Sequence, residues 1–300
     1  MMTTTRRQFL AMLPAPLLAR FAEGSGRFNL AICNEIFKDW GFEDTCKAAV
    51  AAGYTGLEVA PYTLSEDPIR LTVDQRRTAR RIMESEGLTC TGLHWLLSAP
   101  KGMHITTPDR ELREKSWDYL RALIDLAADL GKEPVMVLGS GKARDNIEGA
   151  TVEDAKNRLK EGLAGIAPSA ESAGVTILME PLAPHLCRVV NTLEEAMEIV
   201  RAVNSPAVQT VFDVHNAAAE PLPHDETIEK YFDHIRYVQI NEMAGGYPGS
   251  DNYDFRPMLK TLKELGYSGW ISMEVFDLSP GPEKISKESA EHIRRIEATL

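Results

Sequence analysis

The sequence predicts a single (β/α)8 barrel, an α/β fold of the TIM-barrel type, within a chain of 300 residues. The main observation is that a short apolar run followed by an amphipathic segment recurs eight times after residue 27. Several of the amphipathic segments end in glycine directly before the next apolar run, as helices that lead into tight turns do. No G-x-G-x-x-G follows the first apolar run, which argues against an open Rossmann-like sheet, the main rival.

The eight predicted strands are short and continuously apolar. This pattern is typical of parallel strands that are buried on both faces, whereas half-exposed strands alternate apolar and polar residues. The predicted strands span Phe28–Cys33, Gly56–Ala60, Thr89–Trp95, Pro134–Gly139, Val175–Pro181, Val208–His215, Ile235–Asn241 and Trp270–Phe276.

The segments between the strands have apolar residues at three- and four-residue spacing, which predicts helices with one buried face. The predicted helices span Phe42–Ala52, Val73–Ser85, Arg110–Leu130, Val152–Ser172, Leu193–Val203 and Phe255–Leu265. Thr151 and Thr192 stand where helix N-caps are expected. Left-handed C-caps are expected at Gly53, Gly87, Gly131, Gly174 and Gly266.

Length and composition agree with one domain. Barrels of this type run to about 250 residues as one unit, and 44% hydrophobic with 26% charged residues is ordinary globular composition. The Pro- and Gly-rich stretches at 221–223 and 245–249 follow the sixth and seventh strands, so they are interpreted as loops. Residues 27–300 are therefore expected to form a single domain.

Residues 1–26 are expected to lie outside the barrel. Thr5-Arg6-Arg7-Gln8-Phe9-Leu10, followed by an apolar run over 11–19, resembles a twin-arginine export signal. The alternative is an N-terminal extension whose paired arginines are accidental. The first interpretation predicts an exported, periplasmic protein and the second a cytoplasmic one. No other stretch approaches the ~18 apolar residues of a membrane span.

The charge balance restricts the partners of the chain. A formal net charge of −11 argues against nucleic acid, because phosphate binding depends on clusters of Lys and Arg. A small neutral or metal-chelated substrate agrees better with this charge. The four cysteines lack C-x-x-C spacing and are expected to be free, mostly buried thiols. They are Cys33, Cys46, Cys90 and Cys187.

Four consecutive predicted strands, the fifth to the eighth, contain a polar residue near their carboxyl ends. Active sites of such barrels lie at that face. Taken singly, each residue could instead cap a helix or belong to a loop. Together they predict a metal site, because three acidic groups at one barrel mouth would repel each other without a cation between them. The four residues are Glu180, Asp213, Gln239 and Glu274.

Ligand chemistry restricts the predicted metal. Carboxylate and amide oxygens favour Mn²⁺ or Mg²⁺, whereas zinc prefers thiolate and imidazole. One divalent ion of that kind is therefore the expected cofactor.

Several motifs along the chain resemble the xylose-isomerase-like barrel superfamily of sugar and sugar-phosphate isomerases and epimerases. The resemblance extends from residue 28 to about 297. The motifs are Met179-Glu180-Pro181-Leu182, Phe212-Asp213-Val214-His215-Asn216, Val238-Gln239-Ile240-Asn241-Glu242, Tyr247-Pro248-Gly249 through Asp254-Phe255, and Ser272-Met273-Glu274.

The resemblance implies that Glu180, Asp213, Gln239 and Glu274 coordinate the metal, and that Glu180 and Glu274 also act as acid and base on opposite sides of the substrate. A metal that chelates a ketone oxygen and its neighbouring hydroxyl would acidify the carbon-bound proton and stabilise an enediolate. One carboxylate could then remove a proton and the other return one. Barrels of this superfamily are often dimers or tetramers, so a homo-oligomer is expected.

Two positions differ from the ketose 3-epimerases of the superfamily. Gln239 stands where those enzymes have a histidine ligand, and Gly245 where they have an arginine. The histidine expected three residues after the aspartate is displaced, with His215 at two and Asn216 at three. Glutamine at the third ligand position also resembles the keto-acid epimerases and 3-dehydroshikimate dehydratases of the superfamily. Substrate binding is therefore expected to differ in detail.

Further residues near the strand ends are candidates for substrate binding. Trp95 would form a hydrophobic wall for a sugar ring, and His94 would donate to a hydroxyl. The alternatives are core packing for Trp95 and a loop hydrogen bond for His94. His185 and Arg188 lie in the loop after Glu180 and would bind a carboxylate or phosphate of the substrate. The alternative is that these loop charges are only solvated. The complete set of candidates is Glu58, His94, Trp95, His185, Arg188 and His215.

The leading functional hypothesis is a divalent-metal-dependent epimerase or isomerase of a ketose or keto-sugar. The alternative is a metal-dependent dehydratase of the inosose or 3-dehydroshikimate type, since both reactions begin with the same proton abstraction. A non-catalytic sugar-binding barrel is a second alternative. A DNA-repair endonuclease, which this superfamily also contains, would need zinc-binding histidines and a basic face. This acidic chain offers neither feature.

Overall fold

The computed structural model describes residues 27–300, and it contains a closed barrel of eight parallel strands in the order β1 to β8. Each strand pairs with the next along the chain, and β8 pairs with β1. The predicted fold class is therefore confirmed. The strands are β1 Asn29–Cys33, β2 Gly56–Val59, β3 Thr89–Leu93, β4 Val135–Leu138, β5 Thr176–Met179, β6 Val208–Asp213, β7 Ile235–Ile240 and β8 Trp270–Met273.

Helices surround the strands. The threonine N-caps are confirmed, because the hydroxyls of Thr151 and Thr192 accept from the third backbone N–H of their helices. The helices are α1 Phe42–Ala51, α2 Val73–Glu86, α3 Arg110–Leu130, α4 Gly141–Arg144, α5 Val152–Ala173, α6 Leu193–Val203, α7 His224–Tyr231, α8 Arg256–Glu264 and α9 Pro282–Glu297. The eightfold pattern predicted a helix after each strand but gave no bounds for α7 and α9, and it did not predict the short α4.

Alternate residues of each strand face either the barrel interior or the outer helices. On β6, for example, Val211 packs in the inner cluster while Phe212 belongs to the core beneath the helices. Across the interior, the hydroxyls of Thr91 on β3 and Tyr237 on β7 are hydrogen-bonded at 2.7 Å. The inner cluster consists of Val135, Val137, Leu178, Val211 and Tyr237, with Trp270 packed against it.

Some predicted boundaries and caps were wrong. Strands predicted to reach Trp95, His215 and Phe276 end two or three residues earlier. At Trp95 the backbone adopts a φ of +53°, which a strand cannot contain. Gly131 is not a left-handed cap, since its φ is −127°. A β-carbon there would lie 2.7 Å from the Cys90 carbonyl oxygen, so close packing requires the glycine.

The two ends of the described chain meet at the amino-terminal face of the barrel. The backbone N–H of Phe28 donates to the Glu297 carboxylate. Arg294 donates to the Phe28 carbonyl at 3.0 Å and to Glu297 at 2.8 Å. Helix α9 is thereby attached to the start of β1, on the face opposite the carboxyl ends of the strands.

Three sequence predictions concern features outside the barrel architecture. The twin-arginine segment lies outside the described residues. Within residues 27–300, no helix combines the length and apolarity needed to cross a bilayer. All four cysteines are free and buried, as expected.

Candidate active site and metal centre

The four predicted ligand residues lie together at the carboxyl end of the barrel because strand side chains alternate. Side chains two positions apart on a strand point to the same side. The residue two positions after the last inward-facing residue of the interior therefore points into the mouth. Thus Leu178 and Val211 fill the interior, and the residues two positions later are Glu180 and Asp213. Gln239 follows Tyr237 in the same way on β7. Glu274 follows the buried Ser272 of β8.

Three carboxylates approach one another closely in a buried position. Glu180, Asp213 and Glu274 each offer an oxygen, and these atoms lie within 4.8 Å of one another. Their side chains belong to residues that are only 4%, 3% and 6% exposed, respectively. Such a group of like charges is costly without a compensating cation.

Burial and mutual repulsion raise the pKa values of these acids. Burial raises the pKa of Glu180 to about 7, although the Arg144 guanidinium and the Asn216 amide oppose the shift. Burial and repulsion by Glu180 raise the pKa of Asp213 well above its usual range. The pKa of Glu274 is raised by burial, by Glu180 and by Asp213. The site therefore retains protons or attracts a cation near neutral pH.

Two asparagines hold the acidic side chains in place. Asn216 donates its backbone N–H to Asp213 Oδ1 at 2.7 Å and its side-chain amide to Glu180 Oε1 at 2.8 Å. Asn241 donates to Asp213 Oδ2 at 3.3 Å and accepts from the backbone N–H of His215 at 2.9 Å. Asn216 therefore joins the carboxylates of β5 and β6, while Asn241 joins β7 to the turn after β6.

Glu180 depends on two further residues. The fully buried Arg144 donates to the Glu180 backbone carbonyl oxygen at 2.6 Å, and its positive charge opposes the rise in the pKa of the Glu180 side chain. Gly139 follows β4, and a β-carbon at that position would overlap Glu180 Oε2. Only glycine leaves room for the carboxylate in this position.

The amide of Gln239 has a defined orientation. Its Nε2 donates to Glu58 Oε1 at 3.0 Å, while its Oε1 is buried without a hydrogen-bond partner. Glu274 Oε2 is also buried and without a partner. Two buried oxygen atoms of the predicted ligand set therefore lack the hydrogen bond that such atoms normally make.

His94 lies below the mouth between two carboxylates. Its Nε2 is 2.6 Å from Glu35 Oε2, and its Nδ1 is 3.7 Å from Glu58 Oε1. Burial lowers the pKa of His94, but Glu35 and Glu58 outweigh this effect and the pKa is raised. The thiol of Cys33 donates to Glu58 Oε2 at 3.1 Å. His94 is therefore buried and hydrogen-bonded within the protein, which favours the alternative of a hydrogen-bonding role over contact with substrate.

The rim of the mouth is aromatic. Trp95, 40% exposed, and Phe276, 38% exposed, have ring centroids 6.4 Å apart in an edge-to-face arrangement. The half-buried His215 ring is 4.9 Å from Phe276 and 6.0 Å from the exposed His185. Trp95 is too exposed for a core residue, so the core-packing alternative is wrong. The predicted substrate contacts of Trp95, His185 and His215 stay predictions.

Arg188 is oriented along the protein surface. Its guanidinium donates to the Asn146 carbonyl at 2.8 Å, and its Nε lies 3.4 Å from Asp145 Oδ2. These bonds join the loop after β5 to the loop after β4. The prediction that Arg188 binds substrate therefore stays a prediction.

The residues present agree with a divalent metal ion. Three carboxylates and one amide are hard oxygen donors that arrive from four successive strands, and two of their oxygens are otherwise unpartnered. No thiolate or imidazole belongs to this set. Glu180, Asp213, Gln239 and Glu274 would hold the ion.

The family model described as the xylose isomerase-like TIM barrel matches residues 46–296. The chain belongs to this family. The resemblance noted in the sequence motifs is thereby confirmed at the level of the xylose isomerase-like barrel.

Named relatives of this barrel are sugar isomerases and epimerases. A Streptomyces coelicolor protein named for hydroxypyruvate isomerase is 26% identical over 273 residues, which are 85% of this chain and 91% of the relative. A ketose 3-epimerase of Arthrobacter globiformis is 24% identical over 224 residues, 75% of either chain. A solved structure of L-ribulose 3-epimerase covers 91% of this chain and 95% of its own at 20% identity, with a TM-score of 0.76. That structural likeness supports the barrel fold.

Sequence reasoning missed several residues at the site of this xylose isomerase-like barrel. Asn216 and Asn241 lie in the same motifs as the predicted metal ligands Asp213 and Gln239, and this proximity could have indicated their role. Gly139 closed a predicted strand, and a glycine at a strand end indicates a close approach. Arg144 and Glu35 gave no signal, because their contacts join distant parts of the chain.

Proposed function

We propose that this chain is a divalent-metal-dependent epimerase or isomerase of a ketose or keto-sugar. The observation that carries the proposal is the buried group of Glu180, Asp213 and Glu274, with the unpartnered oxygens of Glu274 and Gln239 beside it. The names of the relatives, which include ketose 3-epimerase and hydroxypyruvate isomerase, support the same reaction class. We propose Mn²⁺ or Mg²⁺ as the ion, because all four ligands are oxygens.

The chain's own residues would carry out the proton transfers. When bound, the divalent ion would supply positive charge to a carbonyl oxygen and its neighbouring hydroxyl. This charge acidifies the C–H bond of the carbon that bears the hydroxyl, next to the carbonyl. Glu180 follows β5 and Glu274 follows β8, so the two carboxylates approach the substrate from different sides of the mouth. One carboxylate removes the proton from the carbon next to the carbonyl. The other returns a proton to the opposite face, and the configuration of that carbon is inverted.

The surroundings of Glu180 support a role as the base. Burial raises the pKa of Glu180 to about 7 in the absence of a cation. A divalent ion bound beside it would lower this pKa, so the carboxylate would be ionised and able to accept a proton. Asn216 donates to Oε1 at 2.8 Å and holds the carboxylate in place.

A second candidate is a dehydratase of the inosose or 3-dehydroshikimate type. Gln239 keeps this candidate open, because glutamine at this ligand position resembles the 3-dehydroshikimate dehydratases of the superfamily as well as its keto-acid epimerases. The same carboxylate would remove the proton beside the carbonyl, but a hydroxyl group would then leave as water instead of the proton returning. The two reactions differ in product and share their first step.

Deuterium incorporation tests the proposal. Mg²⁺-loaded protein in D2O is incubated with ketoses, keto-sugars, inososes and hydroxypyruvate, and the products are followed by NMR. Deuterium at the carbon beside the carbonyl in an isomeric product is expected. Its loss in Glu274→Gln, but not in the exposed control Glu291→Gln, would link it to the site. A product that has lost water would favour the dehydratase. No exchange with any compound, with the metal shown to be bound, would contradict catalysis and favour a sugar-binding barrel.

A further inference from the structure

We propose that Glu58 is a positioning residue that turns the side-chain amide of Gln239 so that its oxygen faces the metal. The inference rests on the proposed function, since it assumes that Gln239 is a ligand. It gives Glu58 a place in the support of the metal centre instead of direct contact with substrate.

The two ends of the Gln239 amide have nearly the same size but opposite polarity. Only the oxygen can bind a cation, because the NH2 group has no free electron pair to offer. Nε2 donates to Glu58 Oε1 at 3.0 Å, and Oε1 of Gln239 has no hydrogen-bond partner. With the amide reversed, two acceptor oxygens would lie about that distance apart, and the NH2 group would point at the metal. The acceptor oxygen of Glu58 therefore selects one orientation of the amide.

Glu58 is itself fixed from two directions. It lies on β2, and its side chain reaches across the barrel interior to Gln239 on β7. Its other oxygen, Oε2, accepts from the Cys33 thiol of β1 at 3.1 Å. Glu58 is 0% exposed, so bulk solvent does not compete for these bonds. The Gln239 orientation is thus connected to β1 and β2, which lie two and three strands further round the closed barrel.

A carboxylate behind a ligand has a second effect. The hydrogen bond from Nε2 to a carboxylate oxygen polarises the Gln239 amide and increases the negative charge on its Oε1. Such partners orient metal ligands and strengthen their binding, and their replacement typically lowers metal affinity about 10–100-fold.

Mn²⁺ binding to the metal-free full-length protein tests the inference without requiring a substrate. Free Mn²⁺ is measured by EPR during titration of the wild type, Glu58→Gln, Gln239→Glu and the double variant. Glu58→Gln keeps the side-chain volume but cannot select the amide orientation, so its Mn²⁺ affinity is expected to fall about 10–100-fold. Thr91→Val removes another buried hydrogen bond of the barrel interior and is the matched control, with wild-type affinity expected.

The double variant separates positioning from charge. Gln239→Glu places two carboxylates against each other, whereas in the double variant the amide of residue 58 donates to the carboxylate of residue 239. Either oxygen of that carboxylate can face the metal. The double variant is therefore expected to bind Mn²⁺ more tightly than either single variant. If charge alone mattered, Gln239→Glu would bind most tightly, and that ranking would overturn the inference.

The remaining outcomes are also distinct. Thermal unfolding of the metal-free variants checks that each one folds. If the wild type binds Mn²⁺ and Glu58→Gln binds it equally well, positioning by Glu58 is wrong while the proposed function stands. If the wild type binds no Mn²⁺, both proposals fail. Binding of Mn²⁺ without turnover of any sugar contradicts the proposed function alone.

Discussion

Replacing Glu180 by glutamine should flatten the pH dependence of stability of the metal-free protein. The folded-state pKa of Glu180 is about 7 against 4.5 in the absence of burial. The folded state therefore binds this proton more tightly than the unfolded chain does. The resulting stability is fully present below pH 4.5 and is lost as the pH rises through 7. Between pH 5 and 8 the loss from this group is about 2.5 kcal/mol, which corresponds to roughly 5 °C in Tm for a domain of this size.

Thermal unfolding of wild type and Glu180→Gln at several pH values measures this difference. Asp213 and Glu274, whose pKa values Glu180 helps to raise, lose part of that shift in the variant, which flattens its profile further. Four histidines whose pKa values are lowered by burial act in the opposite direction, but they are common to both proteins. They are His104, His215, His224 and His292.

Saturating Mn²⁺ should restore the stability of the wild type at pH 8, by about 2.7 kcal/mol when the ion is present at 100 times its Kd. Parallel pH profiles for the two metal-free proteins would refute the reasoning.

Three further predictions concern other parts of the chain. Gly139→Ala should lower kcat/KM about 100-fold by displacing the neighbouring carboxylate, whereas the exposed helical Gly165→Ala should not; equal values for the two would contradict the steric argument. Arg144→Met should destabilise the fold by about 1–3 kcal/mol in chemical unfolding. It should also shift the acidic limb of the kcat–pH profile to higher pH, because the Arg144 charge lowers the pKa of Glu180; an unshifted limb would exclude this effect. Arg6→Lys combined with Arg7→Lys should retain the protein in the cytoplasm on cell fractionation, and unchanged export or a wild type already cytoplasmic would rule out the signal.

The barrel and the meeting of three acidic side chains at one face could be predicted because both follow from local patterns. A continuous apolar run defines a strand buried on both faces, and the strand period of two places Glu180 and Asp213 on the same side as Leu178 and Val211. No three-dimensional information is needed for that step. The carboxyl ends of parallel strands meet at one face, so the polar residues at the ends of β5 to β8 had to lie near each other.

The hydrogen bonds that position the predicted metal ligands could not be predicted, since they join residues that are distant in the sequence. Glu58 and Gln239 are separated by 181 positions, and Arg144 and Glu180 by 36. Nothing in the local pattern of either pair indicates the contact. The strand ends were also placed too late, because Trp95 is apolar and continues the run although its backbone has already turned. The hydrophobicity of Trp95 predicted neither the end of the strand nor the 40% exposure of its side chain.

The attachment of α9 to the start of β1 has a consequence for the order of the elements along the chain. Phe28 and Glu297 are in direct contact on the face away from the mouth. A short peptide could join residue 300 to residue 27, and new ends could be opened at the exposed turn Lys132-Glu133. Such a circular permutant would begin at β4, while every strand keeps its neighbours and the mouth keeps its side chains. The chemistry of a side chain at the mouth therefore depends on the strand that carries it and on the neighbours of that strand, and not on the order in which the strands occur along the chain.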